Sequence, residues 1–278
     1  MAGEVVIKVE DAWFQYPTGV WALRGVSMEV TRGELIAIIG QNGGGKTTLA
    51  KHLNGLLKPT KGRVLIEGLD TRTAPQYEIT KRVGYVFQNP SHQIFESTVW
   101  DEVAFGPRNL GLSQEEVEKR VKWALSLVGL EGYEKSHPYD LDYGKMKLLT
   151  VAAVLSMKPE ILVLDEPTTG QDHRGRHILA ALCKKLNKEQ GMTVIVITHD
   201  MRFVAEVAER TILMADGKIL LDGPTRQVMT AMDILKKAAI KPPQIAALSN
   251  MLNNAGVKVD ALTVKEAVEQ FRKVLKRS

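Results

Sequence analysis

The stretch Leu35-Ile-Ala-Ile-Ile-Gly-Gln-Asn-Gly-Gly-Gly-Lys-Thr-Thr48 decides how this chain folds. It opens as an unbroken apolar run, the pattern of a strand covered on both faces. Gly40 to Thr47 then fits G-x-x-x-x-G-K-[ST] and a helical pattern follows, which is the context a phosphate-binding loop needs. The glycines let the backbone turn tightly enough to aim several N–H groups at phosphate oxygens, and the following helix adds its positive end. Gly40, Asn42, Gly43, Gly44, Gly45 and Thr48 form this cradle. Lys46 is placed to bind β- and γ-phosphates, and Thr47 to hold Mg²⁺. A glycine-rich turn with an incidental lysine would account for the glycines but not for Lys-Thr at that fixed offset.

Three further apolar runs end in polar residues. Ile161-Leu-Val-Leu-Asp-Glu166 places two carboxylates at a strand's C-terminal end, where open α/β sheets bind ligands. Asp165 suits Mg²⁺, and Glu166 suits the proton of a water attacking the γ-phosphate. Alone, two acids after a strand would be a helix cap or a solvated loop; the phosphate loop makes the difference. Val194-Ile-Val-Ile-Thr-His199 ends in a histidine and Val83-Gly-Tyr-Val-Phe-Gln88 in a glutamine, so both side chains are expected to converge on the γ-phosphate. In Trp13-Phe-Gln-Tyr-Pro17 one aromatic is available to adenine: Tyr16, with Trp13 and Phe14 as alternatives and core packing as the competing role. Stacking a base on an aromatic contributes about 1–3 kcal/mol.

Strands are expected at 5–9, 35–39, 64–66, 83–87, 161–164, 194–198, 211–214 and 219–221, with helices at 115–128 and 143–157. Asp216-Gly217 between two apolar runs predicts a small hairpin ribbon at 211–221. The expected organisation is a nucleotide-binding core at 1–89 and 157–223, a helical subdomain at 90–156 and a helical extension at 224–278, broken at Pro242-Pro243. The 278 residues carry 37 Lys+Arg against 32 Asp+Glu, with 44% hydrophobic residues, an ordinary globular balance that argues against long disorder or collagen-like structure. No run approaches the roughly 18 apolar residues of a spanning helix, and Met1-Ala-Gly-Glu-Val-Val-Ile lacks signal-peptide character, so the chain is expected to stay in the cytoplasm. Cys183, the only cysteine, can form no internal disulfide. His173 and His177 have a metal-ligand spacing, but the intervening Arg-Gly-Arg favours a solvated helix face. The basic end at 271–278 is amphipathic and suits an anionic lipid or a partner, or simply solvent.

Taken together, Tyr16, Gly40–Thr47, Gln88, Ile161–Glu166, Thr169–Asp172 and His199 resemble the ATP-binding subunit of ABC transporters over about residues 5–223. The segments Phe87-Gln-Asn-Pro90, Gln93-Ile-Phe95, Val103-Ala-Phe-Gly-Pro107 and Lys241-Pro-Pro-Gln244 are similar to the energy-coupling-factor and cobalt or nickel importer branch. The resemblance implies an α/β P-loop NTPase with a RecA-like core, an antiparallel β portion near the N-terminus, a helical subdomain and the C-terminal extension. It implies ATP and Mg²⁺ as ligands, Tyr16 on adenine, Gln88 near Mg²⁺, Glu166 as the catalytic carboxylate, Asp172 in an inter-subunit loop and His199 at the γ-phosphate. It also implies a second ATP-binding subunit, a membrane scaffold subunit and a separate membrane substrate-binding subunit, with the chain peripheral on the cytoplasmic face of the membrane and importing a metal ion or vitamin. No nucleic acid is expected.

One segment departs from that pattern. The family's Leu-Ser-Gly-Gly-Gln signature, which faces the γ-phosphate bound by the partner subunit, reads here Leu141-Asp142-Tyr143-Gly144-Lys145. Asp142 puts an anion where a donor is expected, and at about 4 Å and an effective dielectric near 20 two such charges repel by about 4 kcal/mol. The carboxylate would also cap its own helix and compete for its positive end. Tyr143 removes a glycine, and Lys145 restores the charge. Two other function classes share part of the pattern: a soluble ABC-type ATPase acting on nucleic acid or ribosomes, and a P-loop kinase of a small metabolite. The stretch between Gln88 and Asp165 is too short for the long coiled coil of the first, and the second has no use for Gln88, Asp172 and His199 together.

Overall fold

The computed structural model describes residues 3–275. Met1 and Ala2 of the N-terminal reading, and 276–278 of the basic C-terminal end, lie outside the described residues.

Along the chain, β1 (Val5–Gln15), β2 (Trp21–Thr31) and β3 (Leu35–Gly40) lead into α1 (Lys46–Leu53). Then come β4 (Lys61–Ile66), β5 (Leu69–Asp70), α2 (Gln76–Arg82) and β6 (Val83–Val86). A helical middle follows, α3 (Val99–Asn109), α4 (Gln114–Val128) and α5 (Tyr143–Leu155). The chain returns to the sheet with β7 (Ile161–Asp165), α6 (His173–Gln190), β8 (Thr193–Ile197), α7 (Met201–Val207), β9 (Arg210–Ala215) and β10 (Lys218–Pro224). It ends in α8 (Thr225–Thr230), α9 (Met232–Lys237), α10 (Gln244–Asn254) and α11 (Val264–Leu275).

The apolar runs assemble a six-stranded sheet in the order β10-β9-β3-β8-β7-β6, in which β9, β3, β8, β7 and β6 are parallel. Each of β3, β7 and β8 is buried along its whole length, so alternate side chains must serve two layers. Ile36, Ile38, Val163, Ile195 and Ile197 face α1 and a four-stranded sheet in the order β2-β1-β4-β5. Leu162, Leu164, Val194 and Val196 face the helices α5 and α6. A third cluster joins Ala37, Ile39 and Leu213 to α7, α8 and α9, and includes Ala246 and Leu262 of the chain's last third.

Two readings of the sequence are corrected. The expected strand at 5–9 runs on to Gln15, carrying Trp13 and Phe14 into the sheet. An unforeseen strand, β2, pairs with it; its Leu23, Val26, Met28 and Val30 are buried while Arg24, Ser27 and Glu29 are exposed, a half-covered pattern interrupted by Gly25. The expected hairpin at Asp216-Gly217 is present as the antiparallel pair β9–β10, with φ of 50° and 74°, and because β9 is parallel to β3 it also extends the central sheet. Both central residues occupy the left-handed region that a tight two-residue turn requires.

That turn supports the phosphate loop. The Gly217 N–H donates to the Gly44 carbonyl at 3.2 Å, and its own carbonyl accepts from the Arg24 N–H at 2.9 Å. A Cβ on Gly217 would stand 2.7 Å from the Ala22 carbonyl oxygen. Gly217→Ala is therefore expected to cost more than about 1 kcal/mol of stability, read as a lower urea midpoint at unchanged m-value. The same variant should weaken nucleotide binding, because the displaced turn no longer holds Gly44; an unchanged midpoint would contradict this account.

Candidate functional site

The parallel sheet brings β3, β6, β7 and β8 to one edge with their C-terminal ends together, the edge at which open α/β sheets bind ligands. At the end of β3 the chain turns through Gly45, whose φ is 95° and where a Cβ would lie 2.5 Å from the Ala22 carbonyl. Only glycine fits, and the turn delivers Lys46 as the first residue of α1. Lys46 is 6% exposed, and its Nζ donates to the carbonyls of Gly40 (2.8 Å) and Gln41 (3.0 Å). Burial pushes its pKa down while Glu166 and Asp165 pull it up. Gly44 and Gly45 are buried, and Asn42 and Gly43 form the exposed lip of the loop.

Asp165, at the end of β7, is 2% exposed. Its Oδ1 accepts from the Thr47 hydroxyl at 3.2 Å and its Oδ2 from the Tyr85 phenol at 2.8 Å. Burial pushes the carboxyl up, and the Tyr85 and Thr47 donors work against that shift. A desolvated carboxylate beside a threonine hydroxyl is a hard-oxygen donor pair, and a divalent cation supplies the charge it lacks, so Thr47 and Asp165 fit Mg²⁺. Gln88 is exposed and makes no side-chain hydrogen bond to Thr47 or Asp165 among the described residues. Gln93 instead anchors that loop, accepting from the Phe87 N–H at 3.2 Å and donating to the Thr150 carbonyl at 3.1 Å.

Glu166 and His199 do meet. The His199 Nδ1 lies 2.9 Å from Glu166 Oε2, which also accepts from the Thr198 hydroxyl at 3.2 Å. His199 projects outward, its side chain 60% exposed, whereas that of Glu166 is 6% exposed. Of the three aromatics, Tyr16 is the one tied to the phosphate loop, through its hydroxyl 3.0 Å from Thr48 Oγ1. Phe14 is buried edge-on between Tyr16 and His52, and Trp13 pairs with Asp11 and the Trp21 ring.

The segment from Leu141 to Lys145 opens α5. Asp142 is its N-cap, accepting from the Lys145 N–H at 2.9 Å and pairing with the Lys145 Nζ at 2.7 Å. The Lys145 ammonium and amide hold the Asp142 carboxyl below its usual range. Tyr143 lies over Gly170, where an added Cβ would meet its ring at 2.4 Å, and the Gln171 amide donates to the Gly144 carbonyl at 3.2 Å. Asp172 is exposed and caps α6, accepting from the Gly175 N–H at 2.7 Å. His173 and His177 stack edge to face on an exposed helix surface, and no cluster of metal-ligating side chains occurs among the described residues.

Two residues of the site were not anticipated. Tyr85 is the one polar-tipped side chain in β6, a signal in an otherwise apolar strand. Lys147 is 1% exposed on α5 and donates to the Glu166 carbonyl. It falls at helical spacing with the buried Val151 and Val154, a charge on an apolar stripe.

The ABC transporter family matches residues 23–169, a little over half the chain. The energy-coupling factor transporter ATP-binding protein EcfA of Methanocaldococcus jannaschii is 45% identical over 250 residues, 89% of each chain. An ABC transporter ATP-binding protein of Caldanaerobacter subterraneus is 46% identical over 94% of this chain, which spans 46% of that longer relative. Among solved structures, cbiO1 of Clostridium perfringens, part of the ABC transporter complex cbiONQ, superposes with a TM-score of 0.76 at 35% identity, covering 88% of this chain and 98% of that one. An ATP-binding cassette is thus the class that fold and site define. The chain belongs to the ABC transporter ATP-binding family, in its energy-coupling-factor branch, and is an ATPase. These relatives favour neither the nucleic-acid or ribosome reading nor the metabolite kinase.

Tyr85→Phe removes a donor that fixes the Asp165 carboxylate without changing its bulk. The apparent affinity for Mg²⁺ in nucleotide binding should fall about tenfold or more, the usual effect of losing a partner behind a metal ligand. Titration of Mg²⁺ against a fluorescent nucleotide checks this, and an unchanged midpoint would refute it.

Proposed function

We propose that the chain is the peripheral motor of an importer, binding ATP in the cradle Gly40–Thr48 and hydrolysing it with Glu166 as general base. In this reading Tyr16 stacks on adenine, Lys46 leaves the Gly40 and Gln41 carbonyls for the β- and γ-phosphates, and the P-loop N–H groups hold their oxygens. Thr47 and Asp165 hold Mg²⁺, with Gln88 joining from its exposed loop; the ion neutralises developing charge on the phosphoryl oxygens when bound. Glu166 takes the proton of the attacking water, and His199, already bonded to it, turns toward the γ-phosphate. The observation that carries this reading is the continuous run of contacts from Thr47 to Asp165 and, one residue on, from Glu166 to His199.

The domains read from the sequence map onto this role: core 1–89 and 157–223, helical subdomain 90–156, extension 224–278. Leu141–Lys145 and Asp172 would face a second ATP-binding subunit across the seam. The exposed Phe95 and Phe105, in edge contact at 4.6 Å on the helical subdomain, offer an apolar knob to a membrane scaffold subunit. No described helix is long and apolar enough to cross a membrane, which suits a subunit held at the cytoplasmic face by partners. The cargo, a cobalt or nickel ion or a vitamin, would be chosen by a separate membrane substrate-binding subunit. Isolating the membrane complex and identifying that subunit tests the assignment; recovery of the chain without any membrane partner would count against it.

The same reading makes the signature half-site weak. The Asp142 carboxylate occupies the Lys145 N–H, one of the N-terminal donors of α5 that a partner-bound phosphate would need, and its charge repels that phosphate. Lys145 offsets the charge but leaves the amide occupied. Restoring Asp142→Ser, Tyr143→Gly and Lys145→Gln together should raise the ATPase rate about tenfold, the value of roughly one charge-assisted hydrogen bond. Calorimetry should separately find nucleotide uptake lost in Lys46→Ala. An unchanged rate in the triple variant with binding intact would sink the weak-signature idea alone; uptake surviving in Lys46→Ala would sink the site.

A further inference from the structure

Lys147 touches the site only through the main chain of Glu166, yet it is the largest fully buried side chain among the described residues. A lysine is almost never buried without a partner, and burial pushes this ammonium down to about 8, against the pull of Glu166 and Asp165. Packing does not call for it: its neighbours on α5, Leu148, Leu149 and Val151, belong to an apolar cluster in which methionine would fill the same length. Its hydrogen bond goes to the main-chain carbonyl of Glu166.

Glu166 needs holding. Its φ is 48°, a left-handed conformation that a residue with a side chain adopts at a cost of order 1 kcal/mol or more. Its N–H donates to the Ile197 carbonyl at 2.7 Å, fixing one end of the residue to β8. Its carbonyl turns toward α5, accepting from Lys147 and, at 3.3 Å, from the Thr169 N–H, while its carboxylate turns the other way to Thr198 and His199. Without the lysine, the weaker Thr169 contact alone would keep the carbonyl on that side.

We infer that Lys147 is a positioning residue for hydrolysis: through the Glu166 carbonyl it locks the left-handed backbone that aims the Glu166 carboxylate. The inference rests on Glu166 being the general base. It makes Lys147 act on turnover and leaves nucleotide binding, which uses Gly40–Thr48, untouched.

Lys147→Met removes the donor and keeps the length but also removes a charge that offsets Asp165 and Glu166, whereas Lys147→Gln removes the charge and keeps a donor, so the two variants together separate the hydrogen bond from the charge. In the full chain, kcat should fall about tenfold to a hundredfold, the scale of a misplaced reacting group, with KM, nucleotide Kd and melting midpoint within about twofold or a few degrees of the parent. Lys147→Gln, which retains an N–H donor, should recover most of the loss. Should Lys147→Met yield no folded protein, Lys147→Leu is judged by the same comparison of kcat with Kd. Parental kcat in the Met or Leu variant overturns the inference, as does a parallel fall of kcat, affinity and melting midpoint, which marks a structural lysine. Glu166→Gln run alongside separates the two claims: if it hydrolyses ATP at the parental rate, the reading of Glu166 fails first, whatever Lys147 does.

Discussion

Two carboxylates almost out of reach of water need positive charge, and the arrangement of this molecule follows from supplying it. Asp165 and Glu166 sit side by side at the end of β7, both buried. Burial pushes the Asp165 carboxyl up, and the neighbouring Glu166 adds to that shift. Lys46 approaches from the phosphate loop and Lys147 from α5, each paying for its own burial in a lowered pKa. Neither lysine touches a carboxylate oxygen among the described hydrogen bonds; both bond to main-chain carbonyls. The acids are therefore balanced at a distance and their oxygens stay available to threonine, tyrosine, histidine and a metal ion.

That arrangement depends on the sheet. Parallel pairing of β7 with β8 sets Asp165 opposite Ile197, so Glu166 and the Thr198-His199 pair leave the sheet at the same level. Pairing of β6 with β7 brings Tyr85 opposite Val163, two residues before Asp165 and on the same face as it, within reach of its carboxylate. A shift of one residue would turn Tyr85 to the helical side in the β6–β7 ladder, and separate Glu166 from His199 in the β7–β8 ladder. The strands are apolar along their length because both faces are covered, and that burial holds the register on which the chemistry relies.

The same burial explains what could be read from the sequence. Ile161–Asp165 and Thr193–Ile197 announce themselves because a strand covered on both sides is a continuous apolar run. Gly40–Thr47 is legible because its chemistry fixes residue types at fixed offsets. β2 was not legible: one covered face gives only alternation, and Gly25 and Arg24 break it. Tyr85 and Lys147 escaped for a different reason. Each is a single polar group inside an apolar segment, and its meaning depends on which backbone or carboxylate lies across a layer, which spacing along the chain does not encode. Trp13, Phe14 and Tyr16 were indistinguishable in sequence because their separation into packing and site residues is set by α1, which offers Thr48 to Tyr16 alone.

The altered signature is best understood through its neighbours in the same chain. Tyr143 is exposed on its outer side, but its ring covers Gly170, and Gln171 reaches back to the Gly144 carbonyl. The start of α5 and the loop leading to Asp172 are thus one surface. Asp142 and Lys145 close a pair on it that satisfies its own charges. A surface that has become self-sufficient in donors and charge has little left to offer a phosphate from outside, whereas the cradle at Gly40–Thr48 keeps its amides free of side-chain anions. On the proposed reading, the asymmetry between the two halves is electrostatic in origin. In a pair of unlike subunits, this chain's own nucleotide would meet the partner's signature and be hydrolysed there, while the partner's nucleotide would meet Asp142 and be held without efficient turnover.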